Sequence, residues 1–117
     1  MKVFVYYNLH RKVWSVKALE GPKKGRVVAH RDMVMLRSPE GKVSQAGRKR
    51  VLQEQRKNVH AGIVGTWLPD GWPRVSVCWE EITYNPYKYD SFVYKADESK
   101  FDNASVAWME NRKVYVI

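Results

Sequence analysis

Residues 2–19 decide the fold of this chain, and they read KVFVYYNLHRKVWSVKAL. Residues 2–7 are β-branched and aromatic apart from Lys2, which is typical of a strand. Residues 13–19 alternate well enough between apolar and polar side chains to be the returning strand. The connection between them is short, so the two segments are predicted to form an antiparallel hairpin.

The same signals continue along the chain. A turn with two glycines and a proline is predicted at 21–25, and strands are predicted at 26–30 and 33–36, followed by another turn at 38–41. Strands are predicted in the second half at 61–67, 74–79, 81–84, 91–94, 106–109 and 113–117, with turns or loops at 68–73 and 85–90. Cys78 lies in one of these predicted strands, where we expect a small buried hydrophobic residue.

One helix is predicted, at residues 44–57. Ser44 is of a type favoured at the N-cap, and Asn58 is a reasonable terminator. Gly47 should weaken the first turn by about 1 kcal/mol relative to Ala. At 100° per residue, Val51, Leu52 and Gln55 share a packing stripe.

The charged residues of this helix divide between its two sides. Arg48 falls on the packing side, where an arginine is either snorkelling or paired with an acid. Lys49, Arg50, Arg56 and Lys57 fan out on the opposite side.

Together these elements predict an α+β fold with an antiparallel sheet or small open barrel and one main helix. Its 117 residues suit a single domain, 1–117, with N-terminal strands at 2–36, the helix at 44–57 and C-terminal strands at 61–117. The single cysteine excludes an internal disulfide and fits a reducing compartment. No apolar run is long enough to span a membrane, and no secretory signal is present, so we expect a cytoplasmic protein with no membrane partner.

Positive charge is concentrated in the first half of the chain. The net charge is +9, but residues 1–60 hold 15 basic and four acidic residues, whereas residues 61–117 hold six and eight. A local surplus of this kind predicts a face for a polyanion, although a solubility surface would have the same composition. The predicted contacts to nucleic acid or an acidic partner are Lys49, Arg50, Arg56 and Lys57, with Lys23, Lys24 and Arg26 as a second patch.

Residues 21–28, GPKKGRVV, resemble the core of a KOW motif. In that motif a turn between two barrel strands contacts RNA or protein. A basic hairpin tip explains the same residues.

The residues at the helix exit are a further candidate site. Lys57, Asn58 and His60 suit a phosphate or ligand site or a general base, although the negative end of the helix dipole disfavours an anion there. Capping and packing are the alternative role for these residues. His10, His30 and His60 have spacings that match no ligand motif, so neither a metal nor a cofactor is predicted.

Tyrosines cluster around a proline loop in the second half. Tyr84, Tyr87 and Tyr89, with Tyr94 nearby, would suit a protein hot spot or base stacking if exposed, and would be core if buried. Their sequence alone leaves both roles open.

Residues 2–10, 15–19, 48–62 and 83–88 together resemble a group of small accessory proteins of tailed bacteriophages. The resemblance spans most of the chain and brings no catalytic residues, so a role other than catalysis is favoured. It implies expression in a bacterial host cytoplasm during infection, where such proteins bind nucleic-acid machinery or block host defences. The leading prediction is a nucleic-acid-binding accessory protein. The alternatives are an inhibitor of a host nuclease or defence effector, and a nucleotide-binding protein or enzyme that uses Lys57, Asn58 and His60.

Overall fold

A computed structural model describes residues 1–74 and 78–117. Within these residues, one helix and one open antiparallel sheet of nine strands form the architecture, which confirms the predicted α+β fold. The strands are β1 Lys2–Asn8, β2 Val13–Ala18, β3 Val27–Arg31, β4 Met33–Val43, β5 Ala61–Trp67, β6 Glu80–Thr83, β7 Val93–Tyr94, β8 Val106–Glu110 and β9 Lys113–Val116, and the helix α1 is Gln45–Glu54. Their order in the sheet is β3-β2-β1-β5-β4-β8-β9-β6-β7.

The first hairpin forms as its alternation predicts. Val5 pairs with Val16 across the β1–β2 ladder, and both side chains are fully buried. Val3 and Trp14 lie on the same apolar face and are also buried. This face joins buried side chains from the rest of the sheet in one core cluster.

The sheet must curl, because β3 and β4 are joined by Asp32 alone although β2, β1 and β5 stand between them in the sheet. Four spacings of about 4.8 Å would separate the two strands in a flat sheet. The curl brings the Arg31 guanidinium over the Trp67 ring, at 5.6 Å from its centroid. The curled sheet therefore encloses the core on its inner, apolar face.

The turn predicted at 38–41 is wrong, because β4 continues through these residues to Val43. Its pairing with β5 shifts register between Arg37 and Glu40. Ser38 adopts a left-handed φ of 52°, and Pro39 is fully buried. Proline and glycine here mark a bulge inside a long strand. Both residue types occur at bulges as well as at turns.

The helix is shorter than predicted. Ser44 caps it, and its Oγ accepts from the Gly47 N–H at 3.1 Å. The helix ends at Glu54 because Gln55 turns left-handed, with φ 54°, and donates its N–H to Val51 O. Arg56 and Lys57 therefore follow the helix, and Asn58 is not its terminator.

The prediction for residues 74–79 is tested only in part, since residues 75–77 lie outside the described residues. Cys78 is exposed, so its prediction as a buried residue is wrong. It stands outside any strand, ahead of β6, and has no sheet face to bury it. The closing hairpin of β8 and β9 is confirmed, and Asn111 and Arg112 form its turn with φ of 53° and 65°.

Candidate interaction surface

Four cations project from α1 and from the segment that follows it. Lys49 and Arg50 are exposed on the helix, and Arg56 and Lys57 are exposed in residues 55–60, which have no regular structure. We call these four residues the basic surface. Since Val51 is the one buried residue of α1, the helix presents most of its circumference to solvent.

Polar contacts to the loop after β6 hold the helix in place. Gln45 Nε2 donates to Asp90 O at 2.8 Å, and Arg48 Nε donates to Pro86 O at 3.0 Å. Arg48 is half-buried, and its guanidinium donates to a backbone carbonyl. The two roles predicted for it, extension of the charged group into solvent and pairing with an acid, are therefore not seen among the described residues. Gly47, in a segment otherwise rich in helix formers, is the sequence signal for a further contact of the helix.

Gly47 lies against His60. A Cβ added at position 47 would stand 2.6 Å from the Cβ of His60, which is closer than two non-bonded carbon atoms approach each other. Glycine is therefore required at position 47 for His60, six residues beyond the end of the helix, to pack against the first turn. This contact places His60 between α1 and the sheet.

His60 bonds through both ring nitrogens. Nδ1 lies 2.9 Å from Asn58 O, and Nε2 lies 2.7 Å from the Tyr84 hydroxyl. A carbonyl only accepts, so Nδ1 carries the proton of the neutral ring and Tyr84 donates to Nε2. Burial raises the pKa of Tyr84, while the nearby Arg48 opposes the rise, so the phenol remains a donor at neutral pH.

The hydrogen bonds of the described residues do not join the side chains of Lys57, Asn58 and His60 to one another. Asn58 contributes its backbone carbonyl to His60, and its own side chain is exposed, as is that of Lys57. Neither nitrogen of His60 is left free to act as a base in this arrangement.

The tyrosine cluster is divided between core and surface. Tyr84 packs on Phe92 with ring centroids 5.3 Å apart, and Tyr94 packs on Phe101. The Tyr89 hydroxyl donates to Glu98, which raises the pKa of Tyr89 and lowers that of Glu98. Tyr87 alone among the four is largely exposed, at 62%.

The second predicted patch lies on the turn between β2 and β3. Lys23, Lys24 and Arg26 are exposed there, and Gly21 and Gly25 supply the positive φ values of 79° and 86° that the turn requires. The turn follows the end of β2 that lies beside the start of β1, where Lys2 pairs with Thr66. The segment that carries Arg56 and Lys57 leads into the opposite end of β5, so the two groups lie toward opposite ends of this strand.

Within residues 1–74 and 78–117, the ion pairs lie in the second half of the chain. The three salt bridges among the described residues are Lys88–Glu98, Lys95–Glu81 and Lys100–Asp102, all in the second half. Over the same described residues, no cation of the first half lies within salt-bridge distance of a carboxylate. The charge surplus seen in the sequence is therefore a surplus of unpaired cations in the folded protein.

Two further searches cover residues 1–74 and 78–117. In these ranges, no three His, Cys, Asp or Glu side chains come together as a metal site. The helix is also too short and too polar to cross a bilayer.

The sequence matches one family along its whole length. The model of the Mycobacterium phage L5 gene 82 protein family matches residues 1–117. The gene 82 protein of Mycobacterium phage L5 is 42% identical over 123 aligned positions, which cover 97% of this chain and 94% of the phage protein. No solved structure matches. The chain therefore belongs to the Mycobacterium phage L5 gene 82 protein family.

Proposed function

We propose that this phage protein is an accessory protein that binds the phosphate backbone of nucleic acid through the basic surface. The observation that supports this is the state of its four cations, which are exposed and have no carboxylate partner among the described residues. Each is free to replace a counterion on a phosphate, and the released counterions favour binding.

The packing of the helix supports the same proposal. A helix that buries only Val51 does not need Lys49 or Arg50 for its own stability. Its polar contacts, through Gln45 and Arg48, point to the loop after β6 and leave the basic surface clear. Phosphate contacts of this kind position a protein without reading bases, so we expect low sequence specificity.

The turn between β2 and β3 provides a second patch in this proposal. Its residues, Lys23, Lys24 and Arg26, occupy the segment that resembles a KOW core, which contacts RNA or protein in the proteins that carry it. Because this turn and the basic surface lie toward opposite ends of β5, we expect the two patches to contribute separately.

A salt titration of binding to a double-stranded oligonucleotide tests the proposal. With four phosphate contacts, the logarithm of the binding constant should fall with the logarithm of the salt concentration with a slope of about −3.6. Replacing Lys49, Arg50, Arg56 and Lys57 by Ala should abolish most of the binding and flatten the slope. Replacing Lys23, Lys24 and Arg26 by Ala measures the second patch.

The chain offers a matched control. Lys88, Lys95 and Lys100 are also exposed, but each has a carboxylate partner. Their replacement by Ala removes a similar charge and should leave the slope unchanged. The absence of binding even at low salt, or an equal loss in this control, would rule out the basic surface as the contact.

Inhibition of a host protein, such as a nuclease or defence effector, is the second candidate. Tyr87 favours it, because a tyrosine that is 62% exposed is typical of a binding hot spot. Tyr84 and Tyr89 would then support the loop through His60 and Glu98. A stoichiometric partner captured from nuclease-treated host lysate, and lost on Tyr87→Ala, would favour this function over the first.

A further inference from the structure

The sheet of this protein has one closed edge and one open edge among the described residues. β7 is closed by its own chain: Val93 bridges to Lys100, and the Tyr94 N–H donates to Ser99 O at 2.8 Å. The Phe101 N–H donates to Phe92 O at 2.9 Å, which continues the same cover. No further strand could pair there without displacing this segment.

The opposite edge, β3, is open. β3 pairs with β2 on one side, and no backbone bond of the described chain reaches its other side. In an antiparallel strand, alternate residues direct N–H and C=O groups away from the partner strand. The open side of β3 therefore displays backbone groups that can accept another strand, apart from the carbonyl of His30, which accepts from Arg31 Nη1.

Cations flank this edge. Arg26 and Arg31 are exposed, and Lys23 and Lys24 lie in the preceding turn. Residues 21–31 contain no acid. The side chains at the end of β3 are held in position, because His30 Nδ1 lies 3.0 Å from Ser15 Oγ and Arg31 Nη1 donates to His30 O.

We propose that β3 is a docking edge for an extended acidic peptide of a partner protein, which adds to the sheet as a further antiparallel or parallel strand. Backbone hydrogen bonds would supply the affinity, and the flanking cations would select carboxylate side chains. The same cations disfavour a second copy of this chain, since pairing of β3 with β3 would place like charges opposite one another. This proposal uses none of the four residues of the basic surface, although it shares Lys23, Lys24 and Arg26 with the second patch of the proposed function. The test therefore compares an acidic peptide with an oligonucleotide, so that failure of one proposal is distinguished from failure of the other.

Amide exchange of the full chain, followed by NMR, tests the proposal with a defined probe. The probe is a short acetylated and amidated peptide of alternating Glu and Val, and its control has Lys in place of Glu. We expect the acidic peptide to slow exchange at alternate residues of β3 and to leave the helix amides unchanged. The basic peptide should do neither.

A pair of charge reversals locates the effect. Lys24→Glu combined with Arg26→Glu should weaken binding of the acidic peptide about tenfold, the sum of several exposed charge interactions. Lys24→Gln with Arg26→Gln gives a smaller loss in the same direction and serves if the reversal unfolds the edge. Lys49→Glu with Arg50→Glu is the control, and it should leave peptide binding unchanged.

Four outcomes would overturn the docking edge. The first is the absence of slowed exchange in β3 with the acidic peptide at low salt. The second is equal binding of the basic peptide. The third is protection of β3 by an oligonucleotide but not by the acidic peptide, which would make the edge a nucleic-acid contact. The fourth is a dimer of this chain paired through β3.

Discussion

Gly47 shows how one residue can reverse a local preference. Helix propensity favours Ala over Gly by about 1 kcal/mol in a helix interior. At position 47, however, the space that a methyl group would occupy belongs to the Cβ of His60, at 2.6 Å. The close approach lets His60 reach Tyr84, so the glycine supports the contact between α1 and the sheet.

Gly47→Ala is therefore expected to destabilise the protein although it raises helix propensity. The clash should lower the free energy of unfolding by about 1–3 kcal/mol, as overpacking does. Urea unfolding measures the change. Gln53→Ala, at an exposed position of the same helix, is the control and should change stability by less than about 0.5 kcal/mol. An unchanged midpoint for Gly47→Ala would contradict the close packing with His60.

Tyr84 gives a pH dependence on the alkaline side. Burial raises its pKa above the ordinary value of 10.0 in the folded protein. The unfolded tyrosine ionises first, so the stability due to this group is complete below pH 10 and is lost as the pH rises through the folded pKa. Unfolding measured at a series of alkaline pH values should show this decline in the wild type and a weaker one in Tyr84→Phe.

A second tyrosine separates burial from hydrogen bonding in that experiment. The hydrogen bond to Glu98 raises the pKa of Tyr89, so Tyr89→Phe should remove a further part of the alkaline decline. The double variant is expected to have the flattest profile. If Tyr84→Phe and the wild type lose stability in parallel, Tyr84 is not held as a buried donor to His60.

The helix and the strand before it show which element boundaries a sequence reveals. Ser44 marks the start of α1 because its side chain caps the first turn. The end of α1 cannot be located from the sequence, since Gln55 takes the left-handed conformation that glycine usually adopts after a helix. The length of β4 is hidden in the same way, because Pro39 and Gly41 suggest a turn until the core shows that Pro39 is buried.

Arg48 is expected to fix the position of the helix. Arg48→Lys keeps the charge but removes the Nε donor to Pro86 O, so the helix amides of Gln45–Glu54 should exchange faster. A cost of about 1 kcal/mol is expected for the lost bond. Arg50→Lys, at an exposed position, is the control. Equal exchange rates in the two variants would show that Arg48 does not anchor the helix.

For the whole molecule, unpaired charge in one half predicts a stabilising effect of salt. Like charges of the first half repel in the folded state, and salt of about 0.1 M screens charges beyond about 10 Å. Raising the salt from low to physiological concentration should raise Tm by about 4 °C, the shift that about 1 kcal/mol gives in a domain of this size. Calorimetry of the wild type measures it.

The same two sets of cations distinguish the cause of that shift. Replacing Lys49, Arg50, Arg56 and Lys57 by Ala should reduce the salt effect. Replacing Lys88, Lys95 and Lys100 should not, because their interactions are attractive. A fall in Tm on adding salt would show that attraction, not repulsion, dominates the folded state.

The sheet order is the part of the fold that the sequence conceals most. The hairpins β1–β2 and β8–β9 follow from alternation over short distances. The pairing of β4 with β8 joins Met35 to Trp108, and no local pattern specifies such a register. In the same way, the basic residues of the candidate site could be predicted from charge, whereas their anchor, the contacts of Arg48 with Pro86 and of Gly47 with His60, depends on the tertiary fold.

The sheet order also has a consequence for synthesis on the ribosome. The strands β3, β2, β1, β5 and β4 are neighbours and are complete once residue 67 has left the exit tunnel, whereas β8, β9, β6 and β7 arrive later. Until β8 emerges, the nascent chain displays the outer edge of β4 and an uncovered apolar face. A transcript truncated after β5 would yield a half-sheet with that edge still exposed, and such edges seed aggregation. The final strands therefore complete the core and also cover the β4 edge and the apolar face that the partly translated chain exposes.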